Sequence, residues 1–162
     1  MKENEIFYKC VKAGMCDKGI SLWNNKDRLI NFAKQEIEFI LENKPLTNEE
    51  IISFFGLDFL NAHSVFINQD LDLSKKDNDI YTAIINCKGN MRIYSPNNIF
   101  HIAQSTLKLR VFSDGVLTIR LYKDSHLDLI VKRNCKVLIF NYGGVIDNIQ
   151  GYSENVIIKD IR

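Results

Sequence analysis

Asp124, His126 and Asp128 lie two residues apart in the run Asp124-Ser125-His126-Leu127-Asp128. On extended backbone, side chains two apart share a face. Two carboxylates and an imidazole on one face can ligate a divalent metal or position a general base. These three residues are therefore the candidates for a metal-assisted hydrolase or lyase. A second account needs no chemistry: Asp and Ser form turns by bonding to nearby backbone, and a histidine after such a turn is simply exposed. The turn account is preferred, so no catalytic residue, metal or cofactor is assigned from the sequence.

Arg92, Lys108 and Arg110 are the second cluster with binding chemistry. In line, they make a basic stripe able to track phosphates, with Tyr94 and Phe112 nearby to stack on bases. Asp128 interrupts the stripe, which favours a solvated face over a nucleic-acid site. His101 is expected to stack with Thr82 and Thr118 on one sheet face, and His63 to be a hydrogen-bonded linker residue. There is no nucleophile elbow, phosphate-binding glycine loop, HExxH or zinc-type cysteine spacing. Gly143-Gly144 reads as a turn, since no helix follows to bind an anion.

Both clusters sit inside a repeat. From Ile80 onward a first apolar-rich arm opens at Ile80, Ile99, Val116, Cys135 and Val156, and a second at Met91, Leu107, Leu127 and Val145. Polar clusters separate them, among them Asn86 to Asn90, Ser95 to Asn98, Ser113 to Gly115 and Asn141 to Gly144. The period of roughly 17–21 residues marks stacked units. Each arm is strand-length, and several alternate: Leu117, Ile119 and Leu121 against Thr118, Arg120 and Tyr122. One pair of arms cannot bury its apolar face alone, whereas stacked coils bury a continuous column. The reading is a β-solenoid over residues 65–162, with an antiparallel β-sandwich or barrel as the alternative.

Residues 1–64 read as helical. A first helix is expected over Asn4 to Ala13, and a second over Asn25 to Asn43, with Lys34, Glu38 and Glu42 on its solvated side. Between them a loop through Asp17-Lys18-Gly19 carries Trp23 as an anchor. Thr47-Asn48-Glu49-Glu50 is a capping box, flanked by Leu46 and Ile51 for a hydrophobic staple, and starts a third helix ending at Phe55. Leu57 to Ala62 is long enough for one more turn. Ser74 to Asp79 reads as a solvated loop. The expected class is thus α+β, a three-helix segment packed on the solenoid and covering its first edge.

The 162 residues carry 21 Lys plus Arg and 20 Asp plus Glu, a net charge of +1. This balance argues against nucleic acid as a partner. No apolar run is long enough for a membrane span, and Met1-Lys2-Glu3-Asn4-Glu5 does not open a signal peptide. Cys10, Cys16, Cys87 and Cys135 show no CxxC spacing and read as reduced thiols of a cytoplasmic protein.

The run Ala13-Gly14-Met15-Cys16, then Leu22-Trp23, a helix ending before Pro45 and a strand at Val65-Phe66-Ile67 resembles a family of small uncharacterised proteins from gut bacteria. Its members are similar in joining a helical segment to short β-repeats that end in a Val-rich strand and a basic residue, as in Val156 to Arg162. The resemblance implies this fold and no activity, ligand or catalytic residue. The functional expectation is a non-enzymatic interaction or structural protein that presents a solenoid surface to an unknown protein partner. Binding of a small ligand or nucleic acid through the basic stripe is the second reading. A homo-oligomer is expected, because the apolar strand Val156 to Ile161 has a free edge.

Overall fold

The computed structural model describes residues 3–161. The chain divides into two compact units, Met1–Val65 and Phe66–Arg162.

The first unit contains six helices among the described residues, not three: α1 (Glu3–Lys12), α2 (Asp17–Leu22), α3 (Lys26–Gln35), α4 (Ile37–Asn43), α5 (Asn48–Phe55) and α6 (Leu57–Ala62). The stretch around Asp17-Lys18-Gly19 is therefore a short helix. The expected second helix is broken at Glu36, whose φ of −108° and ψ of 26° leave the helical region. Asn25 caps α3, its side chain accepting from the Arg28 amide at 3.0 Å. Ile6, Cys10, Leu29 and Phe54 form the buried cluster, with Leu22, Trp23 and Leu46 packed against it. Trp23 anchors this core, its ring stacked on Phe54 at 4.9 Å. Lys34 is not on the solvated side: it is buried, and its Nζ donates to the His63 carbonyl at 2.8 Å. The long aliphatic stem lets a lysine lie among apolar neighbours while its ammonium finds an acceptor.

The capping box forms at α5. The Glu50 amide donates to Thr47 Oγ1 at 3.2 Å, and the Thr47 amide donates to Glu50 Oε2 at 3.0 Å. Lys9 also donates to Glu50, and these hydrogen bonds hold the Glu50 carboxyl below its ordinary range. Thr47→Ala removes one partner of an end amide and should cost about 1 kcal/mol. Urea unfolding of the two proteins measures it; an unchanged midpoint would mean the box contributes nothing.

The second unit is a two-sheet parallel β-solenoid of about five turns. One sheet has the order β1-β3-β5-β7-β9-β11: Val65–Ile67, Tyr81–Ile85, Asn98–Ala103, Gly115–Tyr122, Cys135–Tyr142 and Val156–Asp160. The other has the order β10-β8-β6-β4-β2: Val145–Gly151, His126–Val131, Thr106–Val111, Lys88–Ile93 and Asp70–Lys75. The eight strand pairings whose register is defined among the described residues are all parallel, which excludes the antiparallel sandwich or barrel. Alternate residues point inward and stack by type along the solenoid. Phe100, Ile119 and Ile139 form one column, and Met91, Leu109 and Leu129 face them from the second sheet. β2 runs on into the presumed loop after Leu73. Its last residue, Lys75, is buried beside Ile93 and bonds Asp77.

All four cysteines are free; Cys16 is exposed and the other three are buried. Burial, with a smaller push from Glu50, raises the Cys10 thiol from 9.0 to about 11, and burial raises Cys87 and Cys135 as well. A folded pKa above the unfolded one favours the protonated native state. The stability is thus full below pH 9 and is lost as pH rises towards 11, at about 1.4 kcal/mol per unit. Cys10 alone should then account for about 2–3 kcal/mol of alkaline destabilisation. Urea midpoints at pH 8 and pH 10.5, wild type against Cys10→Ala, measure it: the pH-dependent loss should be smaller in the variant. In the folded protein at pH 8 only Cys16 should react rapidly with a thiol reagent. An equal pH dependence in both proteins would refute the assignment.

Candidate functional site

Four successive coils turn from the six-stranded to the five-stranded sheet at a corner built the same way. Asn68, Asn86, Gln104 and Asp124 occupy this corner in successive coils, all with φ between 51° and 62°. Short polar side chains tolerate this left-handed region because they bond locally. After three of them comes a small buried residue, Cys87, Ser105 or Ser125, which stacks in a ladder. Ser105 Oγ accepts from the Cys87 amide at 2.9 Å and donates to the Ala103 carbonyl at 2.8 Å. The Ser125 hydroxyl donates to the Ile102 carbonyl at 3.2 Å. Asp124-Ser125 is thus the fourth instance of a structural corner.

The three candidate catalytic residues accordingly have separate surroundings. Asp124 sits at the corner. His126 and Asp128 follow on the outer face of β8, where His126 Nδ1 lies 3.3 Å from Asp147 Oδ1 and Asp128 Oδ2 lies 3.5 Å from Lys108 Nζ. His126 and Asp147 are each about half exposed, so their pairing is solvent-screened. Among the described residues no three His, Cys, Asp or Glu side chains are grouped to hold a metal.

The basic candidates lie on the same outer face, and the register sorts them. Arg92 pairs directly with Arg110, while Lys108 falls one row over, between Asn90 and Asp128. They point outward because Met91, Ile93, Leu107, Leu109 and Val111 between them are core. Arg92 is held by Asp72 at 3.0 Å and Ser74 at 3.3 Å. Arg110 has no carboxylate partner among the described residues. The next row carries Tyr94 and Phe112, stacked on each other at 5.0 Å and 11°. Lys76 lies 5.3 Å over the Tyr94 ring. Tyr94 is therefore covered by Phe112 and Lys76, while Phe112 has a ring partner on its Tyr94 side alone among the described residues.

The histidines differ from expectation in one case. His101 aligns with Ala83 and Arg120, one position away from Thr82 and Thr118. It is buried, and its Nδ1 is 3.1 Å from the Tyr122 hydroxyl. His63 is hydrogen-bonded, with Phe59 O at 2.8 Å and Asp27 Oδ1 at 3.0 Å from its two ring nitrogens. Gly143 is a turn with φ of 96°. The sequence reading missed the corner ladder, whose signal was a polar residue followed by a small one ahead of each second arm. It also missed the contribution of Lys76, which stands outside the stripe in sequence.

Comparison with family models, curated proteins and solved structures finds no match for this chain. Among the described residues no helix is long and apolar enough to cross a membrane.

Proposed function

We propose that this chain is a non-enzymatic interaction protein that works by presenting the outer face of its five-stranded sheet to a partner. The observation that carries the reading is the pair Arg92 and Arg110, in register on adjacent strands. Strands lie about 4.8 Å apart, and like charges directly opposite one another destabilise a sheet. Asp72 relieves Arg92, but no carboxylate among the described residues relieves Arg110. An anionic partner removes that repulsion. Asp124 sits at a structural corner, and His126 and Asp128 lie against Asp147 and Lys108 on the outer face, which leaves the face itself as the functional feature.

Retention on a dextran sulfate matrix tests this. Arg110→Glu with Lys132→Glu should elute at clearly lower salt than wild type. Lys136→Glu, on the six-stranded sheet, should elute close to wild type. Equal shifts for both variants would mean that net charge, not this face, governs binding.

The same reading includes a homodimer and, given four unpaired thiols, a cytoplasmic location. β11 is the edge of its sheet and exposes Ile157 and Ile158, with Ile161 exposed beyond it. Two such edges can pair about a two-fold axis, with Lys159 and Asp160 limiting open-ended growth. The chain should sediment as a dimer at micromolar concentration, and Ile158→Lys should shift it towards monomer. A monomer mass for wild type at high concentration would rule the dimer out.

A further inference from the structure

The solenoid ends, after β10 and β11, in a step. We infer that two copies join there crosswise, β11 of each entering the row beside β10 of the other. The inference rests on the homodimer proposed above and names the surfaces that meet.

The step follows from the strand order. The six-stranded sheet ends in β11, one row beyond β10, which ends the five-stranded sheet. Ile158 shows the consequence. It aligns with Ile139 and so points inward, yet it is 44% exposed where Ile139 is 1% exposed. Val156, Ile146 and Ile149 continue the buried columns of Val137, Leu127 and Leu129, and are themselves only partly buried. The apolar core is thus open at this end, between two strand edges. A solenoid needs such an end covered.

Only one covering closes both sheets. A single added strand beside β10 fills the vacant row, but it leaves the β11 edge open and becomes an edge itself. Pairing β11 with its own copy leaves two rows vacant in the five-stranded sheet. Stacking end to start, against β1 and β2, leaves one. A two-fold axis parallel to the strands and between the sheets leaves none. It exchanges the sheets, so each six-stranded sheet runs on into the partner's five-stranded one.

The symmetry also fixes the register, because rotation about that axis keeps every residue at its own height along the strands. Gly143-Gly144 joins β9 to β10, so Val145 stands about level with Tyr142, and β11 aligns with β9 from Val156 to Asp160. With the irregularity between Ile146 and Asn148 counted, Ile149 is level with Ile158 and Gln150 with Ile157. The partner's Ile158 therefore comes beside Ile149, both facing the core. The partner's Ile157 comes beside Gln150, both facing out. Lys159 reaches the half of the partner strand that carries Asp147, which sets opposite charges on adjacent strands. β10 and β11 run in opposite directions, so the new pairing is antiparallel.

Disulfide cross-linking of the full chain tests this, in a Cys16→Ser background that removes the exposed thiol. Gln150→Cys and Ile157→Cys lie on opposite outer faces of one chain and cannot meet within it. Across the crosswise joint they adjoin at a spacing that a disulfide spans. The double variant should give covalent dimer under mild oxidation, and a mixture of the two single variants should do so too. Either single variant alone should give at least tenfold less. Asn148→Cys with Lys159→Cys serves as the second pair if circular dichroism shows the first to disturb folding. Covalent dimer from Ile157→Cys alone, at the yield of the double variant, means that β11 pairs with β11; the homodimer then stands and the crosswise joint is overturned. A dimer by sedimentation with no cross-link from either pair also overturns the joint alone. Growth to longer species with concentration means end-to-start stacking and overturns it as well. A monomer at high concentration overturns the joint and the homodimer together.

Discussion

Gly89→Ala should destabilise the solenoid by about 3 kcal/mol or more, although it adds a single methyl group. Gly89 lies within β4 with φ of +132°, a conformation that L side chains rarely adopt. A Cβ built there falls 2.0 Å from the Leu71 carbonyl oxygen of the neighbouring strand. That atom belongs to backbone, so no rotamer change relieves the contact. β2 and β4 would have to separate locally, giving up ladder hydrogen bonds between Asp70–Lys75 and Lys88–Ile93. Gly115→Ala makes a useful comparison, because its new Cβ would meet only side-chain atoms, at 3.1 Å and beyond. It carries the strain of a positive φ without the backbone clash, and should cost less. Urea unfolding of the three proteins decides the matter. A loss under 1 kcal/mol for Gly89→Ala would show that the strands adjust freely and that the close approach is not a constraint.

Gly89 also shows what the sequence could and could not convey. Asn86 to Asn90 reads as a single turn cluster, because Asn and Gly favour turns wherever they occur. The chain instead turns at Asn86 and enters the strand at Lys88, leaving Gly89 and Asn90 inside the sheet. Alternation, by contrast, was legible wherever it was strict. Leu117, Ile119 and Leu121 all face the core, and the arms marked at Cys135, Val145 and Val156 begin where β9, β10 and β11 begin. Period also separated stacked coils from an antiparallel sheet, since only coils place each arm beside the arm one repeat on.

The helical part was legible at its caps and not at its breaks. Thr47 and Glu50 announce α5 by chemistry that acts within four residues. The break at Glu36 has no glycine or proline to announce it, and Lys34 is buried because of a carbonyl at His63, far along the chain. The candidate site divides in the same way. That Arg92, Lys108 and Arg110 share a face followed from strand alternation. That Arg92 faces Arg110 directly, while Lys108 faces Asp128, depended on a register that one inserted residue would change.

Leu109→Ala should remove about 3–4 kcal/mol, a large share of what a unit of this size holds. Leu109 is 0% exposed in β6, the central strand of its sheet, between Met91 and Leu129 in the same column. The loss exceeds simple transfer of three carbons because the cavity cannot close. β6 is bonded on one side to β4 and on the other to β8, and all three strands are fixed in parallel register. Neighbours in a solenoid touch mainly the coils above and below, so stability is close to a sum of coil and interface contributions. A weakened central coil therefore loosens both halves from each other, and unfolding should broaden or separate into two transitions. Ile157→Ala, on an exposed position of β11, should change stability by under about 0.5 kcal/mol in dilute monomer. Denaturation followed by circular dichroism and by Trp23 fluorescence distinguishes the outcomes, since Trp23 reports the helical unit alone. A loss below 1.5 kcal/mol for Leu109→Ala would mean that the columns repack as a liquid would. A single sharp transition at reduced stability would mean that the coils unfold as one body and that the nearest-neighbour account does not apply to so short a solenoid.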